Sequence, residues 1–124
     1  MVKSRPKYLN LVRIRLPLPG VVSILHRVSG AVLFLFLPFL LTMFEMSLET
    51  AQTFARFKGV FSHWMIKLIL LGLLWAYLHH LCAGIRHIAL DLHYGTELAS
   101  ARAGSIAVFV VSIAVTLAVG VAVW

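Results

Sequence analysis

Acidic residues are scarce in this sequence: Asp and Glu total 4 against 11 Lys and Arg in 124 residues, a formal charge of +7. Glu45 and Asp91 fall near the ends of apolar runs, and no carboxylate sits deep within one. That argues against a small proton-conducting or transport protein, because such relays are built from acids and imidazoles buried along the path. Cysteine occurs once, as Cys82, which excludes an internal disulfide; beside Leu81 and Ala83 it reads as an inert small hydrophobe. No repeat or low-complexity tract is visible. The N-terminal segment lacks acids, but it is poor in Ser and broken by prolines, so it does not read as a mitochondrial presequence.

Apolar residues are what the chain has in abundance. They make up 61% of it, with a mean hydropathy of +0.97, against roughly 45–50% in soluble domains. The expected fold is all-α, an integral membrane three-helix bundle forming one transmembrane domain over 1–124, with spans at about 22–46, 64–90 and 104–124. A bundle this small must turn much of its apolar surface to lipid or to other subunits. The first run, VSGAVLFLFLPFLLTMFEM, is long enough to span and follows a long basic segment, which argues against a cleaved signal peptide. Pro38 within it is expected to kink the helix without ending it. The connections SLETAQTFARFKG and DLHYGTELASARAG are more polar than their flanks.

The basic residues could suggest a nucleic-acid-binding arm, but in a membrane chain topology explains them better. Lys3, Arg5, Lys7, Arg13, Arg15, Arg27, Arg86 and Arg102 gather on one side, against Arg56, Lys58 and Lys67 on the other. The expectation is N-in and C-out. Trp64 opening the second span and Trp124 closing the third agree, since both fall at the same, non-cytoplasmic interface. Segment 1–21 is expected to lie extended on the cytoplasmic surface, with Pro17 and Pro19 forbidding a continuous helix there.

Within the second span, LHHLCAGIRH packs three imidazoles and a guanidinium into what should be hydrocarbon. His80, Gly84 and His87 recur at four and seven residues, forming one stripe that should face inward. Gly84, one turn below His80, opens a shallow slot that a flat macrocycle edge could enter while the imidazole Nε2 reaches iron; glycine is equally common where helices pack closely. Arg86 and His87 could pair with propionates at the polar end of such a slot. His79 is rotated about 100° away and reads as a rival ligand or a neighbour of another helix. His26 is expected near the cytoplasmic end of the first span, at a depth that does not match that of His80, so a second axial imidazole is expected from another chain. In SILHRVSG, Ser23, His26, Arg27 and Gly30 share one helix face. They could hold a quinone carbonyl, with His26 relaying protons; the alternative is that Ser23 caps the helix and Arg27 snorkels to phosphate.

The two stretches SILHRVSG and HxxxGIRHxxxD (His80, Gly84, Ile85, Arg86, His87, Asp91), with the basic RP start at Arg5 and Pro6, the ASxRxG-like approach to the last span and the VW terminus, resemble the cytochrome b membrane anchors of succinate dehydrogenase. The resemblance covers nearly the whole chain. It implies an anchor of a four-subunit enzyme in the bacterial inner membrane, with no catalytic residue of its own. A flavoprotein subunit would oxidise succinate, an iron-sulfur subunit would pass the electrons inward, and two anchors would share one haem b and reduce ubiquinone. It implies His80 as an axial ligand opposite a histidine of the second anchor. Ser23 and Arg27 would serve as quinone-site residues, and His26, Arg27, Gly84, Arg86 and His87 would form the haem neighbourhood. The competing expectations are a structural anchor whose histidines only bond helices together, and the equivalent subunit of a quinol:fumarate reductase.

Overall fold

The computed structural model describes residues 15–124. Among them run four helices, α1 (Leu18–Leu48), α2 (Ala51–Ser62), α3 (Trp64–Asp91) and α4 (Leu98–Val123), with no strand. The three long ones are long and apolar enough to cross a membrane.

Helix α1 begins four residues earlier than the hydropathy pattern predicts, and its prolines explain why. Pro17 is the N-cap and Pro19 lies in the first turn. A first-turn nitrogen has no intrahelical acceptor to lose, so proline there starts a helix that it would break further in. The Pro17 carbonyl accepts from Gly20 and Val21 at 2.8 and 3.2 Å. The extended segment expected over 1–21 therefore ends at Pro17, and its residues 1–14 lie outside the described ones. Helix α1 continues through Pro38, whose carbonyl accepts from the Thr42 hydroxyl at 3.0 Å.

The first connection, more polar than its flanks, is itself largely helical. Thr50 and Thr53 form a reciprocal capping box: the Thr53 N–H donates to Thr50 Oγ1 at 3.1 Å, and the Thr50 N–H to Thr53 Oγ1 at 2.9 Å. Phe54, Phe57 and Phe61 then stack along one side of α2 at 5.9 and 4.2 Å between ring centroids. Thr50→Ala should fray this start and cost about 1 kcal/mol. Hydrogen exchange should speed up at the first amides of α2 and nowhere in α3; unchanged exchange there would show that the cap is idle.

His63 closes α2 and opens α3, accepting the Met65 N–H on Nδ1 at 3.3 Å. At the other end α3 finishes in a Schellman turn, with Tyr94 N–H donating to Ala89 O and His93 N–H to Leu90 O, both at 2.9 Å. His93 takes the left-handed conformation there, at φ 64°. Helix α4 starts six residues before the predicted span, because LASARA is helix-forming but too polar to register as hydrocarbon-spanning.

Helix α3 is central, packing against α1, α2 and α4. One buried cluster takes a residue from each long helix, Val22, Ala83 and Val108, with Cys82 and Phe109 against it, and α3 buries Leu73 and Ala76 besides. Helix α4 meets its neighbours through Ser105, Val108, Ser112 and Thr116, small side chains that let backbones approach. Each of these hydroxyls donates to a carbonyl of its own helix: Ser105 to Ala101 (2.7 Å), Ser112 to Phe109 (3.2 Å) and Thr116 to Ser112 (2.7 Å). The outside is correspondingly greasy; Phe34 and Leu35 are 74% and 73% exposed, a surface suited to lipid or partner helices and not to water. Lys67 lies over the Trp124 ring at 6.0 Å, so the start of α3 and the end of α4 share one end of the bundle, as the tryptophan pattern predicts.

Candidate functional site

Three imidazoles from two helices meet where α1 crosses α3. The His26 and His80 rings stack at 4.2 Å with an interplanar angle of 14°, and His26 lies 5.0 Å from His87 at a tilt of 47°. This overturns the expected mismatch in depth between His26 and His80. With α1 beginning at Leu18, His26 is more than two turns inside the helix and level with the middle of the stripe on α3.

Glycines make the approach possible. A Cβ on Gly30 would stand 2.8 Å from Cε1 of His80, and one on Gly84 would stand 3.5 Å from Nε2 of His26. The space beside Gly84 is thus bordered by the His26 ring, a neighbour that the spacing along α3 alone could not reveal.

His80 Nδ1 lies 2.9 Å from the backbone carbonyl of His26. A carbonyl oxygen can only accept, so this nitrogen carries the proton and the lone pair is left on Nε2. Ser29 completes the arrangement: its hydroxyl donates to the same carbonyl at 2.9 Å, and its oxygen lies 3.3 Å from Nδ1. The stacked His26 ring covers a π face of His80, whereas the Nε2 lone pair lies in the ring plane. The donor set therefore fits an axial imidazole for haem iron, held in the tautomer that metal-bound histidines need. Among the described residues no three His, Cys, Asp or Glu side chains converge as a metal site of their own.

Arg86 stands apart from this cluster. Its guanidinium turns to α4, donating to the Ala101 carbonyl at 3.3 Å and packing over Gly104. It borders an apolar groove of ≈ 350 Å³ between α3 and α4, lined also by Ile85, Ala107 and Val111. Arg86 and His87 thus face different neighbours, since adjacent helical residues point about 100° apart. On α1, Ser23 is half-buried and Arg27 exposed, one turn apart.

His79 is wholly buried between Trp75 and Phe109, at 5.2 and 5.3 Å between ring centroids, and so faces α4 as expected of a neighbour to another helix. Neither of its ring nitrogens, nor Trp75 Nε1, has a hydrogen-bond partner among the described residues. Sequence reasoning passed over Ser29, although it stands three residues after His26, the spacing that returns a hydroxyl to a helix carbonyl.

Over residues 1–119 the chain matches the family described as "Succinate dehydrogenase/Fumarate reductase transmembrane subunit". It is 36% identical over 126 residues to the succinate dehydrogenase cytochrome b556 subunit of Coxiella burnetii, with all of both chains covered. It is also 32% identical over 102 residues to the subunit of that name from Paracoccus denitrificans, covering 82% of this chain and 78% of that one. With the Rickettsia felis subunit it shares 30% over 114 residues, or 92% and 89%.

Proposed function

Because this chain belongs to the succinate dehydrogenase/fumarate reductase transmembrane subunit family, we propose that it is the cytochrome b anchor of a succinate:quinone oxidoreductase, holding haem b through His80 and helping to form the ubiquinone-reduction site. One observation carries the haem assignment: the Nδ1–H of His80 is committed to the His26 carbonyl, which leaves Nε2 as an unprotonated donor. The name of the relatives, cytochrome b556 subunits, supports it. When bound, haem b supplies a one-electron store.

The chain's own residues do the rest by positioning and charge. His80 would hold the haem through Nε2, and a histidine of a second anchor subunit would supply the other ligand. His26 and His87 line the same side of α3, with Gly84 keeping that side open. Arg27, exposed on the next face of α1, offers a cation to a propionate or a quinone oxygen. Ser23, one turn before it, offers a hydroxyl to a quinone carbonyl, and the apolar wall of α1 accepts the tail. Iron-sulfur and flavoprotein subunits deliver the electrons, docking on the cytoplasmic side of a bacterial inner membrane that this chain crosses N-in and C-out. Succinate oxidation as the working direction rests on the names of the relatives, since the family includes fumarate reductases.

The purified complex should show a b-type α band in its dithionite-reduced minus oxidised spectrum; its absence would leave only a structural tether. Arg27→Ala should lower quinone reductase turnover by about 10-fold, the low end for a lost charge-assisted hydrogen bond of about 1.5–3 kcal/mol, and Ser23→Ala should lower it less. Succinate oxidation with a soluble dye should persist in both. Equal loss of the two activities would remove the quinone pocket from this face of α1.

A further inference from the structure

We infer that Ser29 is a positioning residue for His80: with the His26 carbonyl and the bare Cα of Gly30, it fixes the proton and the ring plane of the imidazole. The inference rests on the haem reading above and extends it to residues that act through His80.

Ser29 is buried, 5% exposed, on the inner face of α1. A serine hydroxyl has one proton, and here it goes to the His26 carbonyl at 2.9 Å. The oxygen lone pairs are then all that Ser29 can offer to His80 Nδ1, 3.3 Å away. Both neighbours of Nδ1 are thus acceptors, and both demand the same tautomer. A serine returning its hydroxyl to the preceding turn is commonplace in helices. What sets Ser29 apart is that the carbonyl it engages is also the one that holds an imidazole 54 positions along the chain.

Gly30 adds a steric limit to this electronic one. A side chain there would meet Cε1 at 2.8 Å and Nδ1 at 3.2 Å. Those atoms belong to a rigid ring tethered at Nδ1, so the ring could not yield as a flexible side-chain tip does. Two acceptors at Nδ1 and the close approach of Gly30 to Cε1 leave the imidazole little freedom to rotate. Rotation matters because the orientation of an axial imidazole governs its overlap with the iron orbitals, and outer partners of metal-bound histidines set that orientation.

The test uses the whole membrane complex carrying Ser29→Ala, Ser29→Thr or Gly30→Ala. Haem is quantified as the pyridine haemochrome, and the low-spin ferric signal is recorded by electron paramagnetic resonance. Ser29→Ala should retain haem, with affinity lowered by at most about 10-fold because the carbonyl remains. Its largest g value should shift and its line broaden as the ring plane wanders. Ser29→Thr, which keeps the hydroxyl, should restore the wild-type line, and Gly30→Ala should shift it even with Ser29 present. Superimposable spectra for wild type and Ser29→Ala would overturn the inference, as would a Ser29→Thr line matching that of Ser29→Ala. A wild-type complex with no b-type spectrum would instead overturn the haem reading on which the inference stands, so the two failures are distinguishable.

Discussion

His80→Ala is expected to erase the low-spin b-type signal of the purified complex while the four helices persist. Alanine is the best helix former, so α3 loses nothing along its backbone. What disappears is the imidazole whose Nδ1–H is committed to the His26 carbonyl, leaving Nε2 as a free donor. Any haem retained by the donor of a second anchor would lack its sixth ligand and turn high-spin, a change plain in both visible and paramagnetic resonance spectra. His79→Ala is the informative control. His79 lies beside His80 in sequence, yet it is walled between Trp75 and Phe109 on the α4 side, so its removal should perturb packing and spare the low-spin signal. A full-strength signal in His80→Ala, or its loss in His79→Ala alone, would reassign the ligand to the adjacent position.

The second large effect belongs to the core. Ala83 is fully buried where Val22 of α1 and Val108 of α4 converge on α3. Lipid is as apolar as any leucine, so helix association in a bilayer depends on close packing and not on transfer from water. Ala83→Leu places three extra carbons in a buried cluster to which all three long helices contribute, and overpacking of this kind costs about 1–3 kcal/mol. The expected result is a clearly lower midpoint of thermal denaturation for the detergent-solubilised complex. The same wedge should part α1 from α3, loosening His26 from His80 and broadening the haem signal. Leu81→Ile, at a half-exposed position on the far side of α3 from Ala83, should leave the midpoint unchanged. Denaturation of Ala83→Leu at the wild-type temperature would mean that the helices are held together elsewhere.

Much of this was legible in the sequence because hydrocarbon imposes a simple pattern. The three spans, their lengths to within a few residues, the inward turn of His80 and the shared interface of Trp64 and Trp124 follow from apolar runs, helical period and interfacial preference. The errors lie where local chemistry outweighs hydropathy. Pro17 and Pro19 look like breakers but act as starters, because the first turn has no hydrogen bond for them to interrupt. Helix α2 is too short and polar to stand out, and its signal is a reciprocal threonine cap followed by three phenylalanines on one face.

At the candidate site, single-helix spacing reached as far as a single helix can. It put His80, Gly84 and His87 on one stripe, but Arg86 could be assigned to a side only once α4 and its Ala101 carbonyl were in place. The stacking of His26 on His80 depends on the relative height of α1 and α3, which no periodicity along either helix contains. The tautomer of His80 is set by a backbone carbonyl, a group every residue possesses and no sequence pattern advertises.

The hydroxyl-bearing face of α4 bears on how the protein is made. Ser105, Ser112 and Thr116 are each satisfied by the helix that carries them, so none of the three needs an acceptor from another helix or from water. Those three hydroxyls therefore set no condition on when α4 meets its neighbours: their hydrogen bonds are complete in the lone helix, and packing against α1 and α3 adds only close contact.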